Sequence, residues 1–285
     1  VECLADIPAP DPLVVIDEAD NCGAVPTVTF ISDGGLVGGP CGGTVTRLYR
    51  ITDACGNVTD VTQTITVDDT IDPTATAPAN ISVQCNADVP TGSSALITDE
   101  ADNCVVPTVS YLGDVSDGNT CPEVITRSWS ITDVCGNQII VNQTITIDDT
   151  VDPVVGPAPA NITVECIADV PGNIGLPYTD NCDANGNVGV VVGPLVGGPC
   201  GGTVTRTWTY TDNCGNVGVA TQVITIDDTT PPTASNPPNI NVAGGTAPAP
   251  DPLVVIDEAD NCTVPVVAFV SDVSDGNSCP ETITR

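Results

Sequence analysis

The chain contains no histidine, no lysine and no methionine, and 37 acidic side chains face only 5 basic ones, all arginine. Without His or Lys the usual general bases, Schiff-base formers and Ser-His or Cys-His pairs are missing. Zinc sites of the mixed Cys/His kind are excluded, and no C-x-x-C pair offers a four-cysteine one. A formal net charge of -32 excludes a nucleic-acid surface, since nothing displaces counterions from phosphates. It argues equally against docking on an anionic membrane. No run reaches the roughly 18 to 20 apolar residues of a membrane helix, so direct membrane insertion is not expected. No secretory leader is visible and the chain opens on Val1 within a strand-like run, so a piece of a longer mature product is expected.

Aromatic residues are scarce too, at 3%, although hydrophobic residues make up 41%. A core of Val, Ile and Ala with few rings is thin, and small modules with thin cores need covalent or metal support. The 14 cysteines supply it. Structural disulfides are the better reading of so many thiols, and they place the protein outside the cytoplasm.

The chain is one unit written about three and a half times. "DNC" recurs at Cys22, Cys104, Cys182 and Cys262, spaced 82, 78 and 80 residues apart. "D-x-CGN" recurs at Cys55, Cys135 and Cys214, and "TI-T-[VI]-DDT" or its close variant ends at Thr70, Thr150 and Thr229. Pro8–Cys22 reappears unchanged as Pro248–Cys262, and Leu36–Arg47 as Leu195–Arg206. Such copies are expected at 1–71 (lacking the start of the first strand), 72–151, 152–230 and 231–285 (cut short before its last strands). Within each copy, Val-, Ile- and Thr-rich runs alternate with Gly, Pro, Asn and Asp clusters, the pattern of a sandwich or barrel. "NISVQ" and "NITVE" read as strand A, "PLVVIDEA" as B, "PTVTFIS" as C, "TVTRTWTYTD" as F and "TQVITIDD" as G. Tyr49, Trp129 and Trp208 share one position in F, where a large ring would anchor the core.

"VEC…DVP" (Cys166, Asp169 to Pro171), "DNC", the Gly- or Pro-flanked third Cys, "TR-x-W", "TD-x-CGN" and "TQ-x-IT-x-DDT" together resemble the hyalin-repeat (HYR) domain in its four-cysteine bacterial form. The resemblance covers essentially the whole chain. It implies an all-β fold of tandem immunoglobulin- or fibronectin-III-like β-sandwich modules of about 80 residues, disulfide-braced and arranged head to tail. Similar modules occur in giant surface proteins of Bacteroidetes-type bacteria, which implies a secreted, cell-surface product.

Four cysteines allow three pairings, and spacing cannot choose between them. On a sandwich, the first Cys follows strand A and the third precedes F, while the second and fourth lie at the opposite end. Pairing within each module is therefore expected: Cys3–Cys41 with Cys22–Cys55, Cys85–Cys121 with Cys104–Cys135, and Cys166–Cys200 with Cys182–Cys214. The fourth copy has Ala243 in place of the first Cys, so Cys279 is either unpaired or joined to Cys262. A bridge closing a loop of ~35 residues contributes about 3 to 4 kcal/mol.

Acidic residues gather where modules meet. Strand G ends in Asp68–Asp69, Asp148–Asp149 and Asp227–Asp228, and a Pro follows within a few residues. The abutting loops carry Asp99, Glu100, Asp102 and Asp133, then Asp180 and Asp212, then Asp257, Glu258 and Asp260. Two readings fit: a solvated acidic surface that holds neighbouring fibres apart, or inter-module calcium sites, since Ca²⁺ takes six to eight oxygens. No cofactor is required. "DTI", "DTV" and "DTT" at the same junctions look like Bacteroidetes O-glycosylation acceptors, making Thr70, Thr150 and Thr229 candidate sites. The sequons at Asn57, Asn80 and Asn161 arise readily by chance in a Thr-rich chain. Arg47, Arg127, Arg206 and Arg285 share one position, and an intramodule salt bridge or carbonyl clamp is expected there.

Acids that recur in every copy suit a material property better than an active site, so no enzyme is expected. The function that follows is a structural stalk or filament of a large secreted bacterial adhesin or fibre. Its partners would be further repeats of the same chain and, in a fibre, lateral neighbours. The alternative is an array of glycan- or protein-binding adhesion modules, in which sandwich-end loops recognise the ligand and avidity sums weak contacts.

Overall fold

The computed structural model of the chain describes residues 1–21, 23–198, 200–243, 246–278 and 280–285. Two compact units emerge, Val1–Thr150 and Val151–Arg285. Among the described residues the only helical elements are three-residue 3₁₀ turns.

In the first unit, β1 (Thr27–Asp33), β2 (Cys41–Thr52) and β3 (Val58–Asp68) form one antiparallel sheet in the order β1-β2-β3. The second copy adds β4 (Ile81–Val83), β5 (Thr108–Ser116), β6 (Glu123–Thr132) and β7 (Gln138–Ile147), ordered β4-β7-β6-β5. The short β4 runs parallel to β7, with Ile81 opposite Ile145. Expected strands A, G, F and C thus lie side by side.

Period-two alternation decides which face turns inward. Along β6 one face buries Ile125, Arg127, Trp129 and Ile131, while on the other Thr126 is exposed, Ser128 half-buried and only Ser130 buried. Along β2 they are Val45, Arg47 and Tyr49. The hairpin to the last strand is made by "D-x-CGN". Asp133 Oδ1 accepts the N–H groups of Cys135, Gly136 and Asn137 at 2.8, 2.6 and 2.8 Å, while Gly136 takes φ +94°, a backbone region that favours glycine.

The rings reach across to the opposing backbone. Trp129 is fully buried, packs with Ile97 and Ile131, and donates Nε1–H to the Ser93 carbonyl at 2.8 Å. Tyr49 instead accepts the Asp11 N–H on its hydroxyl at 3.3 Å. A second cluster, Ile125, Ile145 and Ile147, closes the other end with Ile81, Val83 and Val89. One fully buried ring and a few aliphatics per module make the thin core that the composition implies, with Tyr111 packed against the cluster in the second.

The second unit repeats the arrangement. Its strands are β8 (Val154–Val155), β9 (Ile162–Val164), β10 (Leu176–Thr179), β11 (Gly186–Val188), β12 (Val190–Val192), β13 (Val196–Gly198), β14 (Gly201–Thr211) and β15 (Val217–Ile226). One sheet runs β12-β14-β15-β9 with β13 also on β14, and a second runs β11-β10-β8. Trp208 donates Nε1–H to the Ile174 carbonyl at 2.9 Å. Among its described residues, the fourth copy contributes the strand pair β16 (Val273–Ser274) and β17 (Ile283–Thr284).

Strand B is the departure from expectation. "PLVVIDEA" has strand composition, yet Pro12–Val14 and Pro252–Val254 form 3₁₀ turns. Asp11 and Asp251 Oδ1 accept the Leu13 and Leu253 N–H groups, and Pro stands at the first position of each turn. Cap chemistry wins over strand propensity there. In the second copy only a bridge between Thr74 and Ala101 marks this layer, while in the third copy β10 supplies a short strand.

Candidate functional site

The disulfides correct the expected pairing. Cys3 is bonded to Cys104 and Cys41 to Cys135, with Cα separations of 5.3 Å in both. Cys166 is bonded to Cys262. The expected Cys3–Cys41, Cys104–Cys135 and Cys166–Cys200 bridges are therefore absent, and the Cys262–Cys279 alternative is overturned. Each of these three bridges leaves one module and enters the next. The first Cys of one copy joins the second of the following copy, and the third joins the fourth. Cys55 and Cys200 are exposed free thiols, which removes Cys22–Cys55; Cys22 and Cys279 themselves lie outside the described residues. Cys85, Cys121, Cys182 and Cys214 are also disulfide-bonded. The closed loops span 101 and 94 residues rather than some 35, and a loop of that size contributes about 4.7 kcal/mol in the chain-entropy account.

Most of the recurring polar residues prove to be joinery within a module. Arg47 grips Asp33 with Nε and Nη2 at 2.7 and 2.9 Å and donates to the Pro8 carbonyl at 2.8 Å. Arg127 does the same with Asp114 and Pro90, and Arg285 with Asp272 and Pro248. The position is both salt bridge and carbonyl clamp, and the clamped carbonyl belongs to the proline of "DVP" or its equivalent. The Asp of that motif accepts the preceding Cys N–H, Asp6 from Cys3, Asp88 from Cys85 and Asp169 from Cys166. In the third module Val192 stands opposite Arg206 where Asp33 and Asp114 stand opposite Arg47 and Arg127. Arg206 keeps the bond to the Pro171 carbonyl, but its buried Nε has no partner.

The "TQ" and "AN" motifs lace strand A to strand G. Gln143 and Gln222 donate to the Ala79 and Ala160 carbonyls, and the Asn80 and Asn161 side chains accept the Thr144 and Val223 N–H groups. Those sequon asparagines are thus structural. The candidate glycan acceptors are exposed, and each is tied back to its own module: Thr70 to Glu2, Thr150 to Gln84 and Thr229 to Glu165.

The candidate metal ligands separate in the same way. Asp133 and Asp212 form the hairpin turns. Their burial works against the charge, but hydrogen bonds from Asn137 and Asn216 and the adjacent backbone hold both carboxyls below the ordinary value. Asp99 and Asp257 accept the Thr76 and Ser235 N–H groups; the Thr76 N–H lowers the pKa of Asp99, and the Ser235 side chain and then its N–H lower that of Asp257. Asp260 accepts the Cys262 and Thr263 N–H groups. Asp68 and Asp227 are exposed, and Asp148 and Asp228 are half-buried. Glu100 and Glu258 each carry one buried Oε2 without a partner. Asp69, Asp102 and Asp180 each keep a buried oxygen without a partner, and Asp69 and Asp149 are buried. An oxygen of Asp69, one of Asp102 and Cys104 Sγ lie within 4.8 Å of one another.

The model of the HYR-like domain with 4 cysteines matches residues 1–67, 73–147 and 154–226. The chain belongs to this family. A comparison with curated proteins gives no match. Tandem HYR-like domains with extensive disulfides suggest an extracellular or surface repeat array of the adhesion type, and HYR-like repeats are generally non-enzymatic.

Proposed function

We propose that the chain is a non-enzymatic stalk segment of a large secreted bacterial surface adhesin or extracellular fibre, whose HYR-like modules are strapped into a load-bearing line by disulfides between successive copies. The observation that carries this reading is the pair Cys3–Cys104 and Cys41–Cys135 at one junction. An intramodule bridge protects one module, whereas a bridge between modules routes tension past the folded chain between its ends. Two bonds at one junction also resist rotation there.

Further modules are the partners on this reading. The exposed thiols Cys55 and Cys200 occupy the fourth and third positions, the two positions that Cys41–Cys135 unites, so each matches one half of the same strap. The net charge of -32 favours lines that stay apart unless cations screen them. Thr70, Thr150 and Thr229 remain proposed glycan acceptors, each exposed at the end of a module; native mass spectra lacking any glycan there would remove them.

Single-molecule stretching of the full chain tests the load path. With disulfides intact, the residues between Cys3 and Cys104 add no length. Reduction should free 101 residues at the Cys3–Cys104 strap alone, about 350 Å at 3.3–3.6 Å per residue, and further length as the other straps open. Equal unfolded lengths before and after reduction would sink the proposal.

A further inference from the structure

When the repeated polar side chains are assigned their partners, three carboxylates at the junction of the first two modules keep a buried oxygen without one, Asp69, Glu100 and Asp102, and of these Asp69 and Asp102 lie together. Asp69, just beyond β3, is only 4% exposed. Its Oδ1 accepts two long bonds, from the Ile71 N–H and Asn103 Nδ2, both at 3.3 Å. Its Oδ2 is buried and has no partner. Asp102, in the "DNC" turn of the second module, spends Oδ2 on the Cys104 N–H at 3.0 Å and leaves Oδ1 buried without a partner. Asp180, at the same position in the third module, also holds a buried oxygen, Oδ2, without one.

Burying an ionised oxygen without a compensating charge or donor is costly, and two such groups side by side repel each other. The chain has little to offset them. It has no Lys or His, and Arg47, Arg50, Arg127 and Arg285 are committed to Asp33, Asp60, Asp114 and Asp272. The fifth arginine, Arg206, belongs to the third module. Cys104 Sγ is locked in the Cys3 disulfide, so it is no thiolate, and the donors are hard oxygens.

We propose that Asp69 and Asp102 bind a hard divalent cation, calcium, at the junction beside the Cys3–Cys104 strap. Two oxygens within 4.8 Å fit one ion that holds each ligand at about 2.3–2.6 Å and takes its remaining ligands from solvent. One carboxylate comes from each module, so the ion ties the end of one strand G to the next module's turn. The proposal goes beyond the stalk reading and does not depend on it: a strapped line can exist without calcium, and calcium binding is read separately from extension.

Isothermal titration of the oxidised full chain with Ca²⁺ tests it. Saturable binding is expected near the ~0.1–1 mM range of extracellular modules, with Mg²⁺ about tenfold weaker. Asp69→Asn with Asp102→Asn should weaken the junction's binding by about tenfold or more, while Asp68→Asn, on an exposed neighbour, should leave it unchanged. Should the double variant fail to fold, Asp102→Asn alone carries the same expectation, because its amide oxygen still accepts the Cys104 N–H. Absence of saturable binding, or an equal loss in Asp68→Asn, overturns the site in favour of a diffuse acidic surface.

Discussion

Replacing Val192 by Asp should stabilise the third module. Arg206 is 3% exposed and lacks the carboxylate that Arg47 and Arg127 grip from the facing strand. In those modules the arginines are 3% and 2% exposed and their partners 32% and 30%. Val192, at the matching register position, is 44% exposed, so a carboxylate there would share its geometry and stay partly hydrated. Hydrogen bonds to a charged group are worth about 1.5–3 kcal/mol net. Giving up a β-branched residue costs up to ~1 kcal/mol on the strand scale, and partial exposure screens the pair. A net gain of ~1–2 kcal/mol remains. The chain's two tryptophans are Trp129 and Trp208, so in a Trp129→Phe background the fluorescence of Trp208 reports denaturant unfolding of this module alone. The arginine partner lowers the carboxyls of Asp33 and Asp114, and the carboxyl introduced by Val192→Asp should be lowered likewise. A carboxyl lowered on folding stabilises above its unfolded pKa of about 3.9, and that contribution fades as pH falls through the folded value. The gain should therefore be full at pH 7 and shrink below about pH 4. Val192→Asn is the uncharged control. If it stabilises as much as Val192→Asp, or if the gain survives acid, the reasoning about Arg206 is wrong.

The reverse change, Asp114→Asn, leaves Arg127 buried and unpaired and should cost about 2–3 kcal/mol, read by Trp129 fluorescence in a Trp208→Phe background. Asp133→Ala removes the acceptor of three backbone N–H groups and should cost about 1–3 kcal/mol; because the carboxyls of Asp133 and Asp212 are lowered on folding, wild-type stability should decline below about pH 4 while the Asp133→Ala chain loses less. Iodoacetamide under non-reducing, native conditions should modify Cys55 and Cys200 and spare Cys41 and Cys135, and peptide mapping that finds Cys41 alkylated would contradict the Cys41–Cys135 bond. Trp129→Phe leaves the Ser93 carbonyl without its donor and should destabilise the second module by about 1–3 kcal/mol, measured by chemical denaturation.

Much of this fold can be read from the repeats. Period-two alternation places Arg127 and Trp129 on the inward face of β6, and the recurring ring of Tyr49, Trp129 and Trp208 marks the core. Strand B was hidden because Val14, Val15 and Ile16 look like a strand until Asp11 and Pro12 are weighed as a cap and a first-turn residue. At the three junctions, sequence proximity brings fifteen acids forward without ranking them. Only the partners divide them, since Asp133 and Asp212 are consumed by their own turns and Asp69 and Asp102 are not. The "D-x-CGN" motif marks the Asp that gathers three N–H groups, but no pattern in the sequence marks Asp69 and Asp102 as those whose oxygens stay without partners.

The disulfides were illegible for a different reason. In a periodic chain every position recurs one module later, so an argument from which end of the sandwich a cysteine occupies holds equally for a partner in the next copy. Cys3 faces the second-position end of the following module as readily as its own third position. One signal did discriminate. The fourth copy lacks the first cysteine, at Ala243, yet retains Cys262 and the third-position Cys279. First-to-third pairing within the module would leave Cys279 without a first-position partner, with Cys262–Cys279 as the alternative. Pairing across the junction gives Cys262 a partner without any first-position cysteine at Ala243: it is bonded back to Cys166. A substitution that costs its own module nothing is what strapping between copies permits.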